Sequence, residues 1–436
     1  MAAEFPHRAV LASGQFTQLA QLLAAILPDN PFYARKLGAA GVTPGIESLE
    51  EFFRRVPFTT KQELAEDHRA NPPYGSNLTV PLYQYTRCHQ TSGSSGAPLR
   101  WLDTPESWNW MLANWEVVHR LAGTSHSDTV FFAFSFGPFL GFWAAFESAL
   151  RLGCLCLPGG GQSSVARLRA ILDQNVTVLC CTPTYALHLG EVAAREKLDL
   201  RHSKVKALVV AGEPGGSVPA TRRQLEELWP HARVFDHHGM TEIGPVTFEC
   251  PARPGVLHVM ESAFIPEVLD LVTGAPVAPG QAGELILTNL GRTGSPLLRY
   301  RTGDLVRVAL PHANHSAHPH PCLCGRYDLA LDGGILGRTD DMLVIRGVNV
   351  FPSAVEDILR NCGGIAEYRV RVSRARALAE LSLEVEPDAG CLDSDSLVRR
   401  LEHAFANAFA LRVPVKFVAP GALPRFEMKA QRWVRE

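Results

Sequence analysis

The sequence predicts an α/β protein: a large N-terminal domain with parallel sheets and a β-rich subdomain, followed by a small, mobile α+β C-terminal domain. Three observations carry this reading. First, a short apolar run followed by a loop of small or polar residues occurs three times. Residues 176–181 lead into Thr182-Pro183-Thr184-Tyr185, residues 205–210 into Ala211-Gly212-Glu213-Pro214, and residues 234–236 into His237-His238-Gly239-Met240-Thr241-Glu242. Strand and loop alternating with helix-length stretches is the pattern of a parallel sheet, and ligands of such sheets gather at the carboxyl ends of the strands. Second, residues 283–288 and 297–308 have a β texture with hairpin-like punctuation. Third, 436 residues exceed one ordinary core. Residues 337–352 read as a turn, a strand, a tight glycine turn and a second strand, which is where a small second unit would begin. The expected domains are therefore 1–336 and 337–436, with a hinge near Asp340, since hinges sit at element ends that absorb backbone change.

Taken in order, residues 16–27 carry apolar residues at helical spacing and stop before Pro28. Thr59 or Thr60 caps a helix that begins at Lys61. Residues 101–121 read as a helix. Residues 130–143 are strongly aromatic, and Gly137, Pro138 and Gly141 interrupt the run. Such a stretch is core packing or the wall of a pocket for a flat apolar ligand. Beyond residue 344, strands alternate with helices at 353–360 and 394–410, and the chain ends in a tail that carries Lys429.

Composition narrows the function classes. A content of 46% hydrophobic and 20% charged residues is that of a soluble globular protein. A formal charge of -2 makes no electrostatic case for nucleic acid or an anionic membrane. The first residues lack a basic segment leading into an apolar one, so no signal peptide is expected. Ten cysteines, several in apolar strands, fit reduced thiols in a cytoplasmic protein.

Several groups of residues have a chemical reading beside a plain one. Thr91, Ser92, Gly93, Ser94, Ser95 and Gly96 form a run of small residues whose backbone N–H groups can wrap a polyphosphate. It lacks the lysine and spacing of a Walker A loop, and a solvated linker has the same composition. Asp304 follows Thr302-Gly303 and either presents its carboxylate to a diol or is an ordinary turn aspartate. Cys322 and Cys324 make a tight two-thiolate turn. With Cys250 and His258 they offer four soft ligands for a structural Zn²⁺, while His312, His315, His318 and His320 are rival ligands.

In order along the chain, the Ser/Gly loop, His238-Gly239-Met240-Thr241-Glu242, Tyr300-Arg301-Thr302-Gly303-Asp304, Gly337-Arg338-Thr339-Asp340 and Lys429 resemble the motifs of the adenylate-forming acyl-CoA synthetases. Residues 341–353 and 424–432, with Cys322-Leu323-Cys324-Gly325-Arg326, resemble the phenylacetate-CoA ligase branch. The likeness spans nearly the whole chain. It implies a large adenylate-forming domain, a mobile lid, and ligation of a benzoate- or phenylacetate-type acid to coenzyme A through an acyl-adenylate, with ATP and Mg²⁺. Aryl transfer to a carrier-protein phosphopantetheine, or a non-catalytic nucleotide-binding relative, are the rival readings. The resemblance also admits a homodimer.

Residue by residue, the resemblance assigns the Thr91–Gly96 loop to the β- and γ-phosphates, Thr241 to the α-phosphate and Glu242 to Mg²⁺. Gly212, Glu213 and Pro214 would flank the adenine, with His238, Gly239 and Met240 in the same nucleotide motif. Asp304 would take the ribose hydroxyls, with Arg338 beside it. Lys429 would bridge the substrate carboxylate and the α-phosphate. Gly347 would admit the pantetheine thiol after rotation about Asp340. Phe134, Phe136, Phe139 and Tyr185 are the expected acid pocket. Two departures stand out: Ala97 replaces a lysine common in relatives, leaving Mg²⁺ and Arg100 to meet phosphate charge, and His238 stands where tyrosine is common.

Overall fold

The computed structural model describes every residue except 1–4, 44, 92–97, 312–321, 340–342, 346–347, 351, 376–377, 389–390, 392, 427–429 and 436. Four helices come first: α1 (Arg8–Ile26), α2 (Pro31–Ala39), α3 (Leu49–Arg55) and α4 (Lys61–Ala70). Thr60 begins α4 with a reciprocal capping box to Glu63, so the second of the two expected threonines is the cap. By length and composition α1 is apolar enough to cross a membrane. Its Leu19, Leu22, Leu23 and Ile26 are nevertheless buried in the main core, and its Gln15 donates to the Phe264 carbonyl at 2.8 Å.

A hairpin, β1 (Arg87–Gln90) and β2 (Arg100–Asp103), brackets the Ser/Gly loop. Helix α5 (Pro105–Leu121) follows, so residues 101–103 are strand and only the remainder of the expected helix is helical. Thr104 ends the strand and caps the helix by accepting from the Ser107 N–H. The alternating region then gives β3 (Thr129–Phe132), α6 (Leu140–Arg151), β4 (Leu155–Pro158), α7 (Ser164–Asp173), β5 (Val178–Cys181), α8 (Pro183–Arg195), β6 (Ala207–Val210), α9 (Pro219–Leu228) and β7 (Arg233–Asp236). Its five strands form one sheet in the order β4-β3-β5-β6-β7, parallel throughout.

After the short hairpin β8 (Gly239–Met240) and β9 (Gly244–Pro245) come β10 (Thr247–Glu249), β11 (Val256–Val259), β12 (Phe264–Leu269), β13 (Ala282–Asn289), β14 (Tyr300–Val308) and β15 (Ala330–Arg338). These six make an antiparallel sheet, ordered β10-β11-β15-β14-β13-β12. Gly337 and Arg338 pair with Leu305 and Asp304, so they are the end of β15 and not the expected turn. The C-terminal part contains the hairpin β16 (Leu343–Ile345) and β17 (Val348–Val350), then α10 (Pro352–Cys362), β18 (Ile365–Ala375), β19 (Leu378–Pro387), α11 (Ser394–Phe409), β20 (Val415–Phe417) and β21 (Trp433–Arg435). Its four-stranded sheet is mixed, in the order β20-β19-β18-β21.

The parallel sheet is apolar on both faces, as a sheet covered on both sides must be. One core cluster joins Phe132, Phe134 and Phe235 to α5, α6 and the antiparallel sheet. A second packs Phe131, Leu179 and Leu208 against α7, α8 and α9. The first cluster encloses two neutral histidines. His119 donates from Nε2 to the Ala145 carbonyl at 3.1 Å, and His237 lies edge-on to Trp115 at 4.2 Å. Burial pushes the pKa of His119 down to about 4 and that of His237 to about 3. Because the folded values lie below the unfolded one, the stability is present above pH about 6.5 and is lost as pH falls toward the folded values. Urea titrations are expected to show the unfolding free energy dropping between pH about 6.5 and 4. His119→Gln should flatten part of that slope, and an unchanged slope would remove His119 as a cause.

Candidate active site

The loops after β3, β5, β6 and β7 leave the parallel sheet at one edge, the carboxyl ends of its strands. Asp304, only 4% exposed, is held from two sides at that edge. His238 Nε2 lies 2.9 Å from Asp304 Oδ2, and Arg338 Nη1 donates to Oδ1 at 3.2 Å. The three arrive from different places: His238 follows β7, while Asp304 and Arg338 are register partners on β14 and β15. Gly303 allows the close approach. Its φ is +74°, and a Cβ there would sit 2.7 Å from Arg338 Nη2.

The Thr241-Glu242 turn is fastened from behind. Arg292 is completely buried and grips Asp103 with Nε and Nη2 at 2.6 and 2.7 Å, while Nη1 donates to the Thr241 carbonyl at 2.7 Å. Burial alone would push the Asp103 carboxyl up, but the Arg292 guanidinium holds it below the usual carboxylate range. Glu242, 7% exposed, accepts the Tyr300 hydroxyl at 3.4 Å. Burial, reinforced by Glu242, pushes the Tyr300 phenol well up, so it remains a donor. A nearly buried carboxylate with a neutral neighbour is a fitting ligand for a hard divalent cation.

Thr91 closes the base of the Ser/Gly loop: its N–H donates to the Leu99 carbonyl and its Oγ1 accepts from the Leu99 N–H, both at 3.0 Å. Ser92, Gly93, Ser94, Ser95, Gly96, Asp340, Gly347 and Lys429 lie outside the described residues. Arg100 is exposed and donates to the Pro73 carbonyl at 3.1 Å. Gly239 and Met240 form the β8 strand, with Met240 packed on the main core. Gly212 takes a φ of +96° in the loop after β6. Pro214 is exposed there, and the Glu213 carboxylate accepts the N–H groups of Thr184 and Ala430 at 2.9 and 2.8 Å.

The aromatic residues divide. Phe134 stacks on Phe142 at 4.2 Å and meets Phe136 edge-on at 5.6 Å, while Phe139 meets Phe142 at 6.0 Å. The Gln90 N–H donates to the Pro138 carbonyl at 2.9 Å, which ties this wall to the end of β1. Tyr185 does not join them. It is fully buried in the cluster on the other face of the sheet, and its hydroxyl accepts from Arg167 at 2.6 Å. Its position in the first turn of α8 turns the ring beneath the sheet, a direction that a strand-loop pattern does not reveal.

A separate cluster gathers Cys250, His258, Cys322 and Cys324, with ligand atoms all within 4.8 Å of one another. The Cys250 and Cys322 sulfurs are 3.6 Å apart, and Cys324 Sγ is 3.5 Å from His258 Nε2. Bonds of about 2.3 Å to a tetrahedral ion would set sulfur atoms about 3.7 Å apart. His258 Nδ1 donates to the Asp328 carbonyl at 3.0 Å, which leaves Nε2 as the lone-pair nitrogen facing the thiols. The rival histidines 312, 315, 318 and 320 lie outside the described residues.

Arg432, the last residue of the 424–432 motif, donates from Nη1 to Thr184 Oγ1 at 3.3 Å. Sequence reasoning missed Arg292 and Asp103, which lie 189 positions apart. Nothing local distinguishes these from surface charges.

The family described as AMP-binding enzyme matches residues 88–291, and the one described as AMP-binding enzyme C-terminal domain matches residues 347–436. A phenylacetate-coenzyme A ligase of Thermus thermophilus is 34% identical over 87% of this chain and 82% of its own length. The chain belongs to the phenylacetate-CoA ligase-like branch of the adenylate-forming acyl-CoA synthetases. As a member it is an AMP-forming acid–thiol ligase. A 2-hydroxyisobutyryl-CoA ligase, solved in the postadenylation state with R3-HIB-AMP, superimposes with a TM-score of 0.91 at 30% identity, covering 99% of this chain and 91% of that one. The same ligase in the thioesterification state, with 2-HIB-AMP and CoA, gives 0.69 at equal identity and coverage.

Arg292→Met leaves Asp103 buried without its partner and is expected to cost about 3–5 kcal/mol in urea unfolding. Asp103→Leu combined with Arg292→Met should recover part of that loss. A single variant within about 1 kcal/mol of the parent, well under the range for a stranded buried charge, would mean the pair does not hold the turn.

Proposed function

We propose that the protein joins an aromatic carboxylic acid to coenzyme A in two steps. In the first, a carboxylate oxygen attacks the α-phosphorus of ATP; the acyl–phosphate bond forms, the α–β bridge breaks and pyrophosphate leaves. In the second, the thiol sulfur attacks the acyl carbonyl and AMP departs with the electron pair of the broken bond. The observation that carries this reading is Asp304, clasped by His238 and Arg338 at the edge where the Thr241-Glu242 turn also ends.

The chemistry brings two anions together, so it needs positive charge and aligned donors. Asp304 accepts the ribose hydroxyls, with Arg338 beside it. The Thr241 hydroxyl donates to the α-phosphate, and backbone N–H groups of residues 91–96 hold the outer phosphates. Gly212, Glu213 and Pro214 border the adenine through their backbone. Glu242 is the protein ligand for Mg²⁺, which neutralises phosphate charge when bound. Lys429 bridges the attacking carboxylate and the α-phosphate, then withdraws by rotation near Asp340, and Gly347 gives the thiol its approach.

The Phe134, Phe136 and Phe139 wall supports a benzoate- or phenylacetate-type acid, since ring faces and edges pack well on a flat apolar group. A short hydroxy acid, the ligand class in the 2-hydroxyisobutyryl-CoA ligase structure, is the second reading. The acceptor is coenzyme A, with a carrier-protein phosphopantetheine as the rival. Ten unpaired cysteines support a cytoplasmic setting.

A panel of aryl and short hydroxy acids with ATP and Mg²⁺ is expected to release pyrophosphate with aryl acids; silence across the panel would end this reading. Lys429→Ala should abolish that release and spare thioester formation from supplied acyl-adenylate, and equal loss of both steps would exclude the role given to Lys429.

Cys250, His258, Cys322 and Cys324 hold a structural Zn²⁺ in this proposal, supported by the closeness of their four ligand atoms and the oriented imidazole. Metal analysis is expected to find about one zinc per chain, and Cys322→Ser to lose most of it. Unchanged zinc content in that variant would exclude the site.

A further inference from the structure

We infer that Glu213 is a positioning residue that latches the C-terminal segment onto the large domain for the adenylation half-reaction. This rests on the function proposed above. It differs from the border role given to the Glu213 backbone, because the side chain is engaged elsewhere.

Both carboxylate oxygens are committed. Oε1 accepts from the Thr184 N–H at 2.9 Å, in the first turn of α8, where the unpaired N–H groups favour negative charge. Oε2 accepts from the Ala430 N–H at 2.8 Å, across 217 positions of sequence. Two residues further on, the buried Arg432 reaches the same place and donates to Thr184 Oγ1 at 3.3 Å. Its Nε is anchored on Glu367 at 2.6 Å, within the C-terminal part. Glu356 lies 3.6 Å from its Nη1. Burial would lower the Arg432 pKa, but Glu356 and Glu367 hold it above its ordinary value, so the guanidinium stays charged at this contact. Arg425, bound to Glu386 at 2.6 Å, approaches Glu191 of α8 at 3.8 Å.

This contact is polar and directional, the kind between domains that separate again. Ala430 directly follows Lys429 in the sequence, the residue to which the proposed function gives the adenylation step. The arrangement that contains this contact matches the postadenylation structure at a TM-score of 0.91 and the thioesterification structure at 0.69. Glu213 therefore favours one of two placements of the C-terminal part.

Glu213→Gln keeps the size but replaces two acceptors with one acceptor and one donor, which faces a backbone N–H. Adenylation, read as pyrophosphate release, is expected to slow about tenfold or more, the scale of one charge-assisted hydrogen bond. Thioester formation from supplied acyl-adenylate should fall far less, and Glu213→Asp should restore part of the first step. Equal loss in both steps would place Glu213 on the nucleotide and overturn the latch, as would no loss in either. Small-angle scattering of the unliganded protein decides the latch independently: Glu213→Gln should be more extended than the parent, and identical profiles would overturn it. A parent that forms no acyl-adenylate would sink the function reading instead, leaving scattering to judge the latch.

Discussion

The buried pair of Arg292 and Asp103 is the constraint on which the site depends. One guanidinium holds the end of β2, and so the hairpin around the Ser/Gly loop, and it also holds the carbonyl of Thr241. A buried ion pair adds little net stability, because desolvation consumes most of the Coulombic gain. What this one supplies is direction. Two parallel N–H···O contacts allow a single orientation of the fork, and the third N–H then leaves along a set line to the turn. The hairpin strands that flank the Ser/Gly run and the turn expected to face the phosphates are thereby held in one frame.

Around that frame, polar and apolar parts are sorted. Asp304, His238 and Arg338 form a charged mouth, and Phe134, Phe136 and Phe139 form an uncharged wall. A polar nucleotide suits the mouth and a flat apolar acid suits the wall, so each meets a surface of its own kind. The contact with the C-terminal segment is again polar, built from Glu213, Thr184, Ala430 and Arg432. An apolar contact of the same extent would resist separation more strongly, and a two-step reaction gains from a contact that releases.

Much of the site was legible as local pattern. The loops after β5, β6 and β7 announced a parallel sheet because a short apolar stretch precedes each, whereas Thr302-Gly303 reads as a turn and instead lies within β14 beside Asp304. The four zinc candidates were legible as residue types. Other parts were not. Tyr185 reads like a pocket aromatic, yet the first turn of α8 sends it beneath the sheet to Arg167. Residues 101–103 look helical by apolar spacing, but pairing with β1 makes them strand. Gly337 and Arg338 read as a turn, but pairing with β14 makes them strand.

The chain by itself determined its class, the order of its motifs and the chemistry those motifs offer, since these depend on neighbours a few residues apart. Tertiary structure alone decided which polar groups meet. Arg292 finds Asp103, and Glu213 finds Ala430, across separations of 189 and 217 residues. Which face of the sheet each aromatic ring occupies was decided in the same way. Long-range pairing of this kind is set by the geometry of packed layers, and no local window of sequence contains that geometry.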